Sequence, residues 1–303
     1  MIKRNNKNAV CITVYKHRST TMLAYLEKIN KAKYDVYIIA QENDPSNEEY
    51  TQYSGIVLYP NVTNIFEKRE YIRITMSELG YDGFFMIDDD VNYEAFKITP
   101  ESKRTTSDSY RRVACDFNEM LDKMVTTAYE YNAGYVCNMR IGYLGWQKPN
   151  TIKINKGLNV AQFGYFRLDK MNEHNLHYDT SGYINEDFDM TMQFLQHGVN
   201  CITVCDYAFT TSNIMYKNMN TTTLYENLET NYKLVIHKYI KYHVPLFLDT
   251  KGFLRSRCAY NKYFNTFDVP EADPVILEMC KTDNIQGLID YLIATGRNKM
   301  RIG

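Results

Sequence analysis

The run Gly83-Phe84-Phe85-Met86-Ile87, passing without a break into Asp88-Asp89-Asp90, constrains the fold of this chain more than any other segment. A short, continuously apolar run reads as a strand buried on both faces, which puts it in the middle of a sheet. In open α/β sheets ligands bind outside the carboxyl ends of the strands, and that is where the three aspartates stand. Adjacent carboxylates repel by about 1 kcal/mol or more per pair at partly screened separations. A hard divalent cation, bound through oxygen and shared with substrate phosphates, supplies the missing counter-charge. The plainer alternative is a solvated acidic turn closing the strand.

Around this segment the first two thirds of the chain alternate short apolar runs with helical patterns, the signature of parallel βα units. Strands are expected over 9–14, 34–40, 55–59, 135–140, 161–168 and 201–209. Helices are expected over about 21–32, from a cap at Asn64 to Gly80 with Ile72, Met76 and Leu79 on one face, over 110–131, and from 185 to Gly198 with Phe188, Met192 and Leu195 inward. Beyond 210 the pattern is helical over 221–242 and again within 270–295, with no repeat and no linker. The expected architecture is one domain over 1–245 and a helical C-terminal extension over 246–303 packed on it.

Composition narrows the function. Lys and Arg number 35 against 36 Asp and Glu, a net charge of −1, so no global field draws the chain to nucleic acid or an anionic membrane, and any such contact needs a local patch. The stretch 140–156, with Arg140, three lysines and the single tryptophan Trp146, is one such candidate. The 27 tyrosines suit sugar or base stacking but also simply fill strands. Seven scattered cysteines without a Cys-x-x-Cys pair point to reduced thiols in the cytoplasm. No apolar run of about 18 residues suggests membrane insertion.

Phe84-Phe85-Met86-Ile87-Asp88-Asp89-Asp90-Val91 resembles the DxD motif of GT-A-fold glycosyltransferases. Gly182-Tyr183-Ile184-Asn185-Glu186-Asp187-Phe188-Asp189 resembles their second hallmark, an acidic pair opening a helix. Within that superfamily the two motifs are most similar to the phage-type TET/JBP-associated glycosyltransferases, which are proposed to act on hydroxylated pyrimidines in DNA. The resemblance covers about 9–210. It implies a GT-A-type α/β fold with a mainly parallel central sheet, a nucleoside-diphosphate sugar as donor with UDP the leading base, and Mn2+ or Mg2+.

By that resemblance Asp90 is the principal metal ligand, Asp88 meets the metal or the ribose, and Asp89 meets the donor sugar. Arg69, before the acid strand, and His17 and Arg18, after the first strand, are donor-binding candidates. Glu186 and Asp187 are the catalytic candidates, with Asp187 favoured as the base that activates an acceptor hydroxyl. Acids also gather at helix N-termini through the macrodipole alone, and a basic helix face is often merely solvated. Trp146 and Arg140 are acceptor candidates, with modified DNA as the partner. A saccharide, protein or small-molecule acceptor is the alternative, and sugar-phosphate nucleotidyl transfer a further one that lacks its Gly-rich signature loop.

Overall fold

A computed structural model describes residues 7–14, 24–89, 91–156, 163–181, 186–211, 228–249, 252–265 and 271–297. The apolar run forms β4 (Gly83–Asp88), with β1 (Asn8–Thr13) parallel on one side and β9 (Phe163–Arg167) antiparallel on the other. Outward from β1 come β2 (Tyr34–Ile39) and β3 (Ile56–Leu58), and outward from β9 come β7 (Ala133–Arg140), β10 (Asn200–Thr211), β5 (Val91–Lys97) and β6 (Val113–Cys115). A further strand, β8 (Ile152–Ile154), pairs with β10. Strands β1, β2, β3, β4, β7 and β10 run in one direction, so their carboxyl ends share one rim, while β9, β5 and β8 run against them.

Period-two alternation splits the apolar run between two cores. Phe85 and Ile87 pack with helix α2 (Phe117–Glu130) through Met120, Leu121 and Met124. Phe84 and Met86 pack on the opposite face with α1 (Ile65–Glu78) and α3 (Glu186–Gln196), through Ile72, Met76, Met192 and Leu195. The same alternation turns Asp88 toward α1 and α3. The sheet is sandwiched between helices, and residues 84, 85 and 87 are fully buried. In β9, a side chain at Gly164 would run into the ring of Tyr135, at 2.3 Å, so glycine there lets β9 and β7 close up.

Local chemistry sets the boundaries. Asn64 caps α1 by accepting from the Glu67 amide at 2.9 Å, and Gly80 and Gly198 follow α1 and α3 with φ of 76° and 67°. Three expectations need correction. The helix expected over 110–131 starts at Phe117, because Asp116 caps it and Val113–Cys115 is drawn into the sheet beside β5. Leu79 is 48% exposed, and the buried face of α1 is Lys68, Arg69, Ile72 and Met76. Within 21–32 the described residues form a short 3-10 turn, Ala24–Lys28.

Beyond β10, helix α4 (Leu228–Tyr242), a hairpin of β11 (Leu246–Leu248) and β12 (Leu254–Ser256), and helices α5 (Pro274–Lys281) and α6 (Ile285–Ala294) share a third core. Asp189 of α3 binds this unit to the sheet. Its carboxylate is fully buried and accepts from Lys241 at 2.5 Å, Tyr242 at 2.6 Å and Gln193 at 2.7 Å. Among the described residues, no helix is long and apolar enough to cross a membrane, and all seven cysteines are free thiols.

Candidate active site

The rim where β1, β4, α1 and α3 meet holds most of the residues that the two acidic motifs single out. Thr13 ends β1 in register with Asp88 and donates to its Oδ1 at 3.2 Å. The Arg69 guanidinium reaches the same oxygen at 3.3 Å and, through its other terminal nitrogen, Glu186 Oε1 at 2.9 Å. One cation thus joins the end of β4 to the first turn of α3. Its side chain is 4% exposed, against 13% for Glu186 and 24% for Asp88. A guanidinium this deep is tolerable only with such partners, since an uncompensated buried charge costs several kcal/mol, about 3–5.

Electrostatics follow from this packing. Burial works to strip the Arg69 proton, but Glu186 and Asp88 outweigh it and hold the group firmly charged. Burial lifts Glu186 above the ordinary carboxylate range; Arg69 opposes the rise and Asp187 adds to it. On the adjacent position of α1, Lys68 donates to the Val14 carbonyl at 2.8 Å, and burial draws it down to about 8 against the attraction of Asp89, Asp44 and Asp88. Neither Lys68 nor Arg69 belongs to a solvated basic face: each is 3% exposed. Arg73 is taken by Glu70, which also accepts from the Tyr178 amide at 2.8 Å.

Asp187, half-buried, accepts from the Phe188 amide at 2.6 Å and lines a small cavity with Arg69, Tyr135, Tyr178 and Thr191. The Tyr178 hydroxyl is buried there with no hydrogen-bond partner among the described residues. Asp89 is half-buried beside Asp88, while Asp90, His17 and Arg18 lie outside the described residues. Asp88 and Asp89 offer the hard oxygen donors that a divalent cation takes, and one or two carboxylates plus substrate oxygens suffice for Mg2+. Among the described residues no group of three His, Cys, Asp or Glu could hold a metal ion, so a protein-only cage is not what they form. Trp146 stands apart from this cluster, 77% exposed just beyond the one-turn helix Ile141–Leu144, and Arg140 ends β7 with its side chain outside the described residues.

Two residues that sequence reasoning passed over belong to this rim. Asp44 is 5% exposed, accepts from the Ser46 amide and the Tyr50 hydroxyl, and attracts Lys68. Its signal was the turn Asn43-Asp44-Pro45 at the carboxyl end of a strand. Lys238 of α4 lies 4.7 Å over the Phe188 ring; burial lowers its pKa while Asp187, Cys258 and Glu186 oppose the drop. Nothing in the sequence ties a helix beyond 228 to the acids at 186 and 187.

A helix-flanked, mainly parallel sheet with paired acids at its carboxyl rim is the GT-A type of nucleotide-sugar-binding fold. The sequence model of the TET-Associated Glycosyltransferase family matches residues 12–221, and the chain belongs to that family of glycosyltransferases. Among curated proteins no sequence matches. Solved structures similar to it include TarS 1–349 of S. aureus in complex with UDP, at 9% identity and a TM-score of 0.48, covering 98% of this chain and 95% of that one. A protein described as a nucleotide-diphospho-sugar transferase from Desulfovibrio desulfuricans G20 aligns at 9% identity and a TM-score of 0.41, over 73% of this chain and 95% of that one.

Proposed function

We propose that this glycosyltransferase moves a sugar from a nucleoside diphosphate sugar, with UDP as the leading carrier, to the hydroxyl of a hydroxymethylated pyrimidine in DNA. The observation that carries the reading is the Arg69 bridge: a single buried guanidinium joins Asp88, at the end of β4, to Glu186, in the first turn of α3. Family membership supports the transfer chemistry, and the resemblance to enzymes of hydroxylated pyrimidines supports the acceptor.

In this reading Asp88 and Asp90 hold a divalent cation, which when bound supplies positive charge to the diphosphate leaving group. Asp89 orients the donor sugar, and His17 and Arg18 take the nucleoside. Asp187 accepts the proton of the acceptor hydroxyl, a weak nucleophile until a positioned base relieves it. Glu186 is the poorer base of the pair, because its carboxylate is committed to Arg69 at 2.9 Å; it positions the guanidinium instead. Incubation with a panel of nucleotide sugars, manganese and hydroxymethylated DNA, followed by mass spectrometry of the digested nucleosides, tests the proposal. A hexose or pentose mass on the modified base is the expected result, with unmodified DNA unchanged. Donor hydrolysis without that mass on any DNA would move the acceptor to another class.

A further inference from the structure

Away from the acid cluster, the loop after β5 and the loop after β7 enclose an open groove of about 590 Å³ lined by Arg104, Arg111, Arg112 and Trp146. A satellite core fixes both walls: Ile98 and Leu144, buried, pack with Met139, Cys205 and Ala208, and Tyr110 and Ile141 pack against them. Backbone bonds complete the frame, from Tyr110 to the Gly145 carbonyl at 2.8 Å, from Arg111 to Ser102 at 2.8 Å and from Arg104 to Ser109 at 2.9 Å. The groove is therefore a built surface and not a chance meeting of two loops.

All three arginines are exposed, and none is paired with a carboxylate among the described residues. Arg112 donates to the Gly142 carbonyl at 3.3 Å, whereas neighbouring Lys103 is within 3.7 Å of Asp108. Elsewhere in the chain buried or half-buried arginines have acid partners, as Arg69, Arg73 and Arg167 do. Three like charges held together without counter-charge, in a chain of net charge −1, form the local patch that an anionic polymer needs. Trp146 adds an indole 77% exposed at the groove, and Tyr143 is 63% exposed close by in sequence. A charged track with open aromatic faces is the combination that holds unpaired strands, the phosphates by charge and the bases by stacking.

One wall of the groove, the turn that carries Trp146, follows the carboxyl end of β7, which runs parallel to β4 with only β9 between them, and strands are spaced about 4.8 Å apart. The arginine wall follows β5, which runs against them. We infer that the groove of Arg104, Arg111, Arg112 and Trp146 holds single-stranded DNA, feeding an unstacked base along the rim toward Asp187. This rests on the DNA-acceptor reading above, and it shifts the phosphate contacts from 140–156 to 104–112.

Fluorescence anisotropy with an unmodified single-stranded DNA of about 15 nucleotides, matching the upper range of single-domain site sizes, tests it across a salt series. The full-length protein should bind, and the variant Arg104→Ala/Arg111→Ala/Arg112→Ala should lose about 2 from the log–log salt slope, at about 0.7 per phosphate. The corresponding triple lysine variant should keep the slope, which separates charge from misfolding. Trp146→Ala should weaken binding about tenfold and Trp146→Phe should restore most of it. No binding by the wild type at low salt, an unchanged slope in the triple alanine variant, or tenfold tighter binding of RNA of the same sequence would each overturn the inference. Salt-sensitive binding that the variants abolish, without sugar transfer to hydroxymethylated DNA by the wild type, would leave the groove standing and remove the acceptor reading.

Discussion

Helix α3 carries two acidic sites within four residues, and they have opposite fates. Asp189 is sealed between α3 and α4, with donors from Lys241, Tyr242 and Gln193 arranged around its carboxylate. Glu186 and Asp187, one turn earlier, share a rim with Asp88 and Asp89, where Arg69 bridges Asp88 and Glu186. The buried site is fully compensated, which suits a joint between two units of structure. The rim is partly open, with the Asp88 side chain 24% exposed, and burial lifts Glu186 there, a combination that marks functional sites. Residue type alone does not separate the two sites; the partners that arrive from elsewhere in the chain do.

The strongest way to break this comparison is to neutralise the rim. Asp90→Ala, or chelation of the wild type, is expected to abolish donor turnover, while the melting temperature stays within a few degrees because removing one of three crowded carboxylates relieves repulsion. Full activity in chelator would show that the rim needs no cation. Next in size, Asp187→Asn should lower turnover by about two orders of magnitude, the usual scale for losing a general base, and leave nucleoside diphosphate affinity nearly unchanged in calorimetry. Loss of that affinity would place Asp187 on the donor side.

The rim was legible in sequence and the joint was not, for a physical reason. A doubly buried strand must be apolar on both faces, so Phe84 to Ile87 announced β4 and with it the place of Asp88. The acids of α3 stood out because they open a helix whose Phe188, Met192 and Leu195 face inward, and all three are buried. Lys68 and Arg69 broke the reading of α1, since a buried cation is explained only by carboxylates 19 to more than 100 positions away in the sequence. Strand β5 also escaped notice: Asn92 and Glu94 dilute its apolar content, and its pairing with β10 joins segments more than 100 residues apart. The hairpin β11–β12 is short and is held by a core that only the folded α4, α5 and α6 assemble.

A smaller effect should come from the joint. Asp189→Asn keeps the shape but removes the charge and turns one acceptor into a donor, facing groups that can only donate or that already have their proton placed. The expected cost is about 2–3 kcal/mol of stability, that of disrupting a buried charge-assisted hydrogen-bond set. Urea unfolding should show the loss as a lower midpoint, while turnover per folded molecule at moderate temperature stays within about twofold. A collapse of turnover in a variant that remains folded would erase the distinction between joint and rim.

The smallest effect belongs to the far end of α3, where His197 follows the helix and its ring lies 5.0 Å from that of His174. A helix C-terminus favours a protonated imidazole. Burial and the neighbouring His174 win over that preference and lower the His197 pKa. The unfolded chain therefore binds more protons than the folded one near the ordinary histidine pKa of about 6.5, so stability from this group is present above that value and is lost as pH falls through the lower folded value. Because the ring is only half-buried, solvent screening keeps the loss small. Urea midpoints of the wild type and His174→Gln between about pH 7.5 and pH 5 resolve it, since removing the like charge should flatten the acid-side decline. A decline of equal steepness in both proteins would show that the histidine pair is not the element of α3 that responds to acid.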